Sequence, residues 1–191
     1  MNIQNVLDKI DEINSKDPNV DHFGTQSYPK EILYSQRMTE MLHGFVDAPN
    51  ETLQIAARGQ HIQRWAIPRS DYSMDKKGYM KWRTVLKAYH AELLAEIMEE
   101  EGANESLIDQ IKILITKRKL KTDTDSKTLE DVICLVFLKY YFADFAKKHD
   151  HEKIVDIVKK TWTKMTEDGH TAALKLPLRE TELSLINVAL S

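Results

Sequence analysis

Apolar positions recur every three to four residues along almost the whole chain. Ile3, Val6, Leu7, Ile10 and Ile13 form the first such stripe, a spacing that puts side chains on one face of a helix. Asp17-Pro18-Asn19 breaks it, and a loop through Gly24 leads to Pro29, a residue suited to a first helical turn. The next helix carries Leu33, Tyr34, Met38, Met41, Leu42 and Phe45 and ends by Pro49-Asn50. A third is expected from about Glu51 to Trp65. The Ile67-Pro68 step closes it, because a residue before proline avoids the helical region.

Residues 66–78 read as irregular. A long helix follows over roughly 79–101, with Leu86, Tyr89, His90, Leu93, Leu94, Ile97 and Met98 on one stripe and Gly102 as its stop. Leu107, Ile108, Ile111, Leu114 and Ile115 mark another. Residues 129–146 are apolar nearly all round, which predicts a helix buried on most sides. Ile154, Val158, Trp162 and Met165 make the next amphipathic element, which Gly169 interrupts, and a short helix is expected between Glu180 and Leu190. No strand-type alternation is sustained. The pattern predicts an all-α fold: a single domain over residues 1–191 with about eight helices.

Composition changes this picture little. Of the 191 residues, 42% are hydrophobic and 30% charged, as in a soluble globular domain, and a net charge of −3 gives no global attraction to nucleic acid or anionic membrane. The lone Cys134 excludes an intrachain disulfide and, within Val132–Leu138, reads as an inert buried thiol. No secretory segment is expected at the start, and no apolar run reaches the ~20 residues needed to span a bilayer. A cytoplasmic protein with no membrane partner is the expectation.

Candidate chemistry concentrates between Arg58 and Arg83. Ala57, His61 and Trp65 share a face of the expected third helix, which turns the imidazole inward, and His90 interrupts an otherwise apolar stripe. Buried imidazoles need partners, which a backbone carbonyl, a metal or a bound anion can supply. Thr128 to Asp131 has the form of a capping box with Thr128 at the N-cap; alternatively Asp131 is a carboxylate ligand. His61, His90 and Asp131 would then make the two-histidine, one-carboxylate set that holds one divalent ion of Fe, Mn or Zn.

Around them stand Arg58, Arg64, Arg69, Lys76, Lys77, Lys81 and Arg83, against only Asp71 and Asp75. Forked guanidinium donors suit phosphate oxygens, so Arg58, Arg64 and Arg69, with Arg37 and Trp65, form the candidate substrate-binding set. Salt bridges to Glu99–Glu101 are the competing reading. The run Lys117–Lys121 with Trp65, Tyr79, Trp82 and Arg83 would suit a nucleic acid, a partner not favoured here. No phosphate loop, dinucleotide fingerprint, serine elbow, His-Glu-x-x-His or Cys-x-x-Cys occurs.

Pro29–Met38, Gln60–Trp65, Met74–Tyr79, Leu129–Val132 and Lys160–Met165 closely resemble a bacterial and fungal family of unknown function, over nearly the whole chain. More distantly, the order of elements is similar to the HD-domain metal-dependent phosphohydrolases. In that likeness Tyr34 stands before Arg37-Met38 where the family has a histidine. Gln60-His61 follows Ala56-Ala57 where it has a His-Asp pair, and His90 and Asp131 match a later histidine and aspartate. The resemblance implies an HD-like helical core with one metal rather than two, because Tyr34 and Gln60 are poor ligands. It also implies phosphohydrolase activity on a nucleotide or other phosphate ester. Glu130 would carry the proton, while Tyr34 and Gln60 orient water or substrate. The alternatives are a mononuclear non-haem iron oxygenase and a metal-free domain that binds a nucleotide or RNA through its arginines.

Overall fold

The structure, a computed structural model, describes residues 1–190. Its packing falls into two compact units, one from Met1 to Ser126 and one from Lys127 onward. Among the described residues there are ten α-helices and one two-stranded sheet. The all-helical expectation therefore holds. The extra helices arise where the 129–146 run is divided by a π-turn and where residues 167–173 form a helix of their own.

In the first unit, α1 (Ile3–Asn14) buries Val6 and Ile10 and is capped by Asn2. The chain then makes an unexpected hairpin, β1 (Val20–Phe23) with β2 (Gln26–Pro29). Its two-residue turn works because Gly24, at φ 62°, adopts a left-handed conformation at no steric cost. These strands are short and mostly exposed, so they show no alternation of burial that a sequence pattern could reveal. Pro29 ends β2 and leads straight into α2 (Lys30–Phe45). Pro29 offers no side-chain cap, and the buried Asp17 serves instead. Its carboxylate accepts from the Glu31 N–H at 3.0 Å and from the Asn19 backbone and side-chain N–H groups. One acid thus ties the hairpin base to the first turn of α2.

The third helix is shorter than the sequence predicts: α3 runs Glu51–Arg58, and Gly59 ends it. A Cβ at Gly59 would come 2.5 Å from Leu94 Cδ2, so this glycine lets the chain press against α4 (Lys76–Glu100). The following turn bends further because Gln63 is left-handed at φ 49°, a conformation costly for a non-glycine residue. Two contacts hold it: the Gln63 N–H donates to the buried Asn14 Oδ1 at 3.0 Å, and its side-chain oxygen accepts from Tyr89. His61 therefore lies on a turn, and the expected shared helix face with Ala57 and Trp65 does not form.

Two 3₁₀ turns, Arg64–Ala66 and Arg69–Asp71, lead to α4, whose N-cap Asp75 accepts from the Gly78 N–H at 2.7 Å. Helix α5 (Glu105–Thr116) packs along α4 and touches α3. Ile55, Ile62, Leu94, Met98, Ile111 and Leu114 form the dry centre of this unit, each contributing ~1.5–3 kcal/mol of transfer free energy.

Helix α6 (Thr124–Val136) begins four residues before the expected cap, with Asp123 accepting from the Ser126 N–H at 2.7 Å. Thr128 is therefore inside the helix and does not cap it. In the second unit a π-turn (Phe137–Tyr141) joins α6 to α7 (Phe142–Lys148), where Phe137 meets Phe142 and Phe145 edge-on. Helix α8 (His151–Trp162) packs against α10 (Glu180–Leu190). Between them lies α9 (Glu167–Ala173), which contains Gly169. Cys134 is buried as expected and lies 3.8 Å from the Thr161 carbonyl. No helix among the described residues is long and apolar enough to cross a membrane.

Candidate functional site

The hairpin base, the start of α2 and the turns after α3 enclose a cleft of about 510 Å³. Lys30, Glu31, Arg64 and Trp65 line it, with Asn19, Ile67 and Trp82 among their neighbours. Each functional side chain is placed by a feature already described: Asp17 fixes Glu31, the Gly59–Leu94 approach brings the turn to α4, and Gln63 aims the chain at Arg64.

Glu31 is buried, and its Oε2 lies 3.4 Å from His61 Nδ1. The Tyr34 ring stacks on the imidazole at 4.0 Å and 14°. Arg64 Nη1 is 3.1 and 3.2 Å from the two ring nitrogens. A nearly equal approach to both places the guanidinium against the ring face, not in the plane where either lone pair points. Its other neighbour is Trp82, whose centroid is 5.1 Å away. Trp82 is itself anchored by an Nε1–H donated to the Ile67 carbonyl at 2.9 Å. His90, on α4, has its ring 6.2 Å from that of His61 and is buried.

Burial dominates the electrostatics of this cluster. Loss of water pushes the Glu31 carboxyl above its ordinary value, and Arg64 and Lys30 partly oppose that. His61 is driven well below 6.5, first by desolvation and then by the Arg64 charge. His90 falls to about 3, again mainly by burial, with His61 and Arg64 adding to it. Both imidazoles are therefore neutral at pH 7.

A histidine whose pKa is depressed on folding contributes stability that is complete above its unfolded value and lost on acidification. Wild-type protein should thus lose stability as pH falls from 6.5 toward 3, by up to about 1.4 kcal/mol per unit for each imidazole kept neutral. Glu31 works in the opposite sense, its contribution being full below about 4.5 and lost as pH rises through its elevated folded value. Chemical denaturation of wild type and His90→Gln across this range checks the balance. The variant should show the flatter acid limb, and equal slopes would mean that His90 is not held neutral.

Several residues expected at the site have other duties. Arg58 forms a two-pronged pair with Asp11, its Nε 2.7 Å from Oδ1, and also reaches Thr39. Arg69 lines the cleft as well, and it also staples the loop before α4 by donating to the carbonyls of Tyr72 at 2.9 Å and Ser73 at 2.7 Å. Arg37 is buried against Asp21 at 3.3 Å. By contrast, Lys30 and Arg64 make no ion pair among the described residues. Gln60 is buried, its backbone carbonyl beside His90.

The two acids of the second unit are also engaged. Glu130 is buried, with Lys164 Nζ 4.0 Å from its Oε1. Asp131 accepts from the Thr166 N–H at 2.8 Å and from the Thr166 hydroxyl at 2.6 Å. Thr166 in turn caps α9 by accepting from the Gly169 N–H. A Cβ at Gly169 would run into the same carboxylate. Asp131 thus secures a helix start, with one hydrogen bond accepted at each carboxylate oxygen. No group of three or more His, Cys, Asp or Glu among the described residues is placed to hold a metal.

Glu31 is the residue that sequence reasoning missed. At the second position of a helix a glutamate is ordinarily a solvated partner of the helix dipole, and nothing in the local pattern marks this one as buried.

The molecule is thus an all-helical protein with a cationic cleft beside the buried Glu31 and His90 and the half-buried His61. Residues 4–186 match the model of a domain of unknown function, DUF4202, and the chain belongs to that family. No curated protein and no solved structure matches it.

Proposed function

We propose that this protein is a phosphohydrolase that takes a nucleotide or other phosphate ester into the cleft beside Glu31. One observation carries the reading: Lys30 and Arg64 line the same cleft as the buried Glu31, yet neither forms an ion pair among the described residues. Such cations suit a ligand anion better than a structural role.

In this reading Lys30 and Arg64 hold the phosphoryl oxygens and stabilise charge that develops on them in the transition state. A water attacks phosphorus, the ester P–O bond breaks, and the products are the alcohol and inorganic phosphate. Glu31 takes the water's proton, and the leaving oxygen is protonated in the same cycle. A carboxyl raised by burial is a better base than an ordinary one. His61, neutral and stacked on Tyr34, positions Arg64 and Glu31. Asp131 already accepts from the Thr166 N–H and hydroxyl, which favours a structural role for it. Proton transfer is accordingly assigned to Glu31.

Phosphate release from a panel of phosphate esters, with and without a chelator, tests this. Turnover should survive the chelator and fall about 10²-fold or more in Glu31→Gln. Turnover abolished by the chelator and restored by Fe, Mn or Zn would move water activation to a metal. Absence of release from every ester would sink the hydrolase reading.

A further inference from the structure

We infer that α4 presents a face to a second copy of this chain, the two helices lying antiparallel about a two-fold axis. Lys77, Lys81, Val85, Ala88, Glu92 and Glu96 follow one another at three- or four-residue spacing, which sets them along one stripe of the helix. All six are exposed, Val85 by 36%. Cations begin the stripe, short apolar side chains fill its middle and acids end it. Lys77, Lys81 and Glu96 make no ion pair among the described residues, while Glu92, 63% exposed, meets Lys112 at 2.6 Å. None of the six lines the cleft, so the inference stands apart from the phosphate reading.

This order of charge opposes the helix that carries it. Acids are favoured near a helix N-terminus and cations near its C-terminus, yet α4 has no acid in its first turn and no base in its last. An antiparallel copy turns the conflict into complementarity. With the axis between Leu86 and Lys87, Lys77 comes opposite the partner's Glu96, Lys81 opposite the partner's Glu92, and Val85 opposite the partner's Ala88. Symmetry repeats each pair. The short side chains at the middle let the two backbones approach to the ~8–10 Å of packed helices. A parallel copy would set like charges against each other, and an unrelated acidic partner would leave Glu92 and Glu96 facing acids. At ~1.5 Å per residue the stripe is about 28 Å long. That is short for a stable interface, so the dimer is a weak and salt-sensitive one.

Sedimentation velocity of the whole chain, over about 1–500 µM and at low and high salt, tests the inference. Wild type should form a dimer with a Kd on the order of 10–100 µM that weakens several-fold between about 0.05 and 0.5 M salt. Lys77→Glu and Glu96→Lys should each weaken it about tenfold or more, because each turns attractive pairs into repulsive ones. Joined in one chain, the two changes should restore the wild-type Kd to within about threefold, and so should an equimolar mixture of the single variants. Lys81→Glu with Glu92→Lys gives the same series at the second pair should the first variants not fold, with circular dichroism reporting the fold. A monomer at every concentration would overturn the inference. So would a dimer untouched by the single reversals, or one lost in them and not recovered by the swap.

Discussion

Asp131→Ala is expected to destabilise the protein by about 3 kcal/mol, one of the two largest effects foreseen. The side chain is buried and takes two bonds from Thr166, so its loss strips a partner from a backbone N–H and a hydroxyl together. It also loosens the cap on which α9 starts, because the same hydroxyl accepts from the Gly169 N–H at 3.1 Å. Asp131→Asn should cost about half as much: the remaining carbonyl oxygen still serves the Thr166 N–H, while the amide cannot accept from the hydroxyl. Urea denaturation followed by circular dichroism measures both. A variant of unchanged stability that had lost bound metal would return Asp131 to the role of a ligand.

The second large effect is a contrast between two arginines. Arg58→Met should cost ~2–3 kcal/mol in stability, because it strands Asp11, yet leave phosphate affinity within about twofold. The pair is only partly shielded, Asp11 retaining 32% of its exposure, and solvent keeps the loss below that of a fully buried pair. Arg64→Met should do the reverse. It forfeits a charge-assisted contact with the ligand, so phosphate should bind about 10–100-fold more weakly, while stability changes by no more than the ~0.5–1 kcal/mol of a cation–π contact. Thermal melts beside calorimetric titrations separate the two. Equal losses of affinity in both variants would mean that the anion is not held at Arg64.

Much of the fold was legible because apolar stripes at helical spacing have few alternative explanations. α1, α2, α4, α5, α8 and α10 are found near their expected places for that reason. The failures have physical causes. Residues 59–65 continue the helical pattern of α3, but Gly59 packed on Leu94 and Gln63 held by Asn14 and Tyr89 override it through contacts distant in sequence. The hairpin is too short and too exposed to leave a period-two signal. At the site, the cationic block was visible, and it does contribute Arg64, Trp65 and Arg69 to the cleft. Which arginines were free was not visible, since the partners of Arg58 and Arg37, Asp11 and Asp21, lie 47 and 16 residues away. Glu31 was hidden for the same reason: its burial is decided by Asp17 and by the loop after α3, not by its neighbours in the chain.

The left-handed turn at Gln63 has a consequence for how a ligand would be received. Its conformation is disfavoured in isolation, and the native contacts from α1 and α4 hold it before anything binds. The work of shaping the segment that bears His61 and Arg64 is therefore done during folding. A ligand arriving at the cleft meets a receptor with little left to order, and the entropy that a mobile loop would surrender on binding is not subtracted from its affinity.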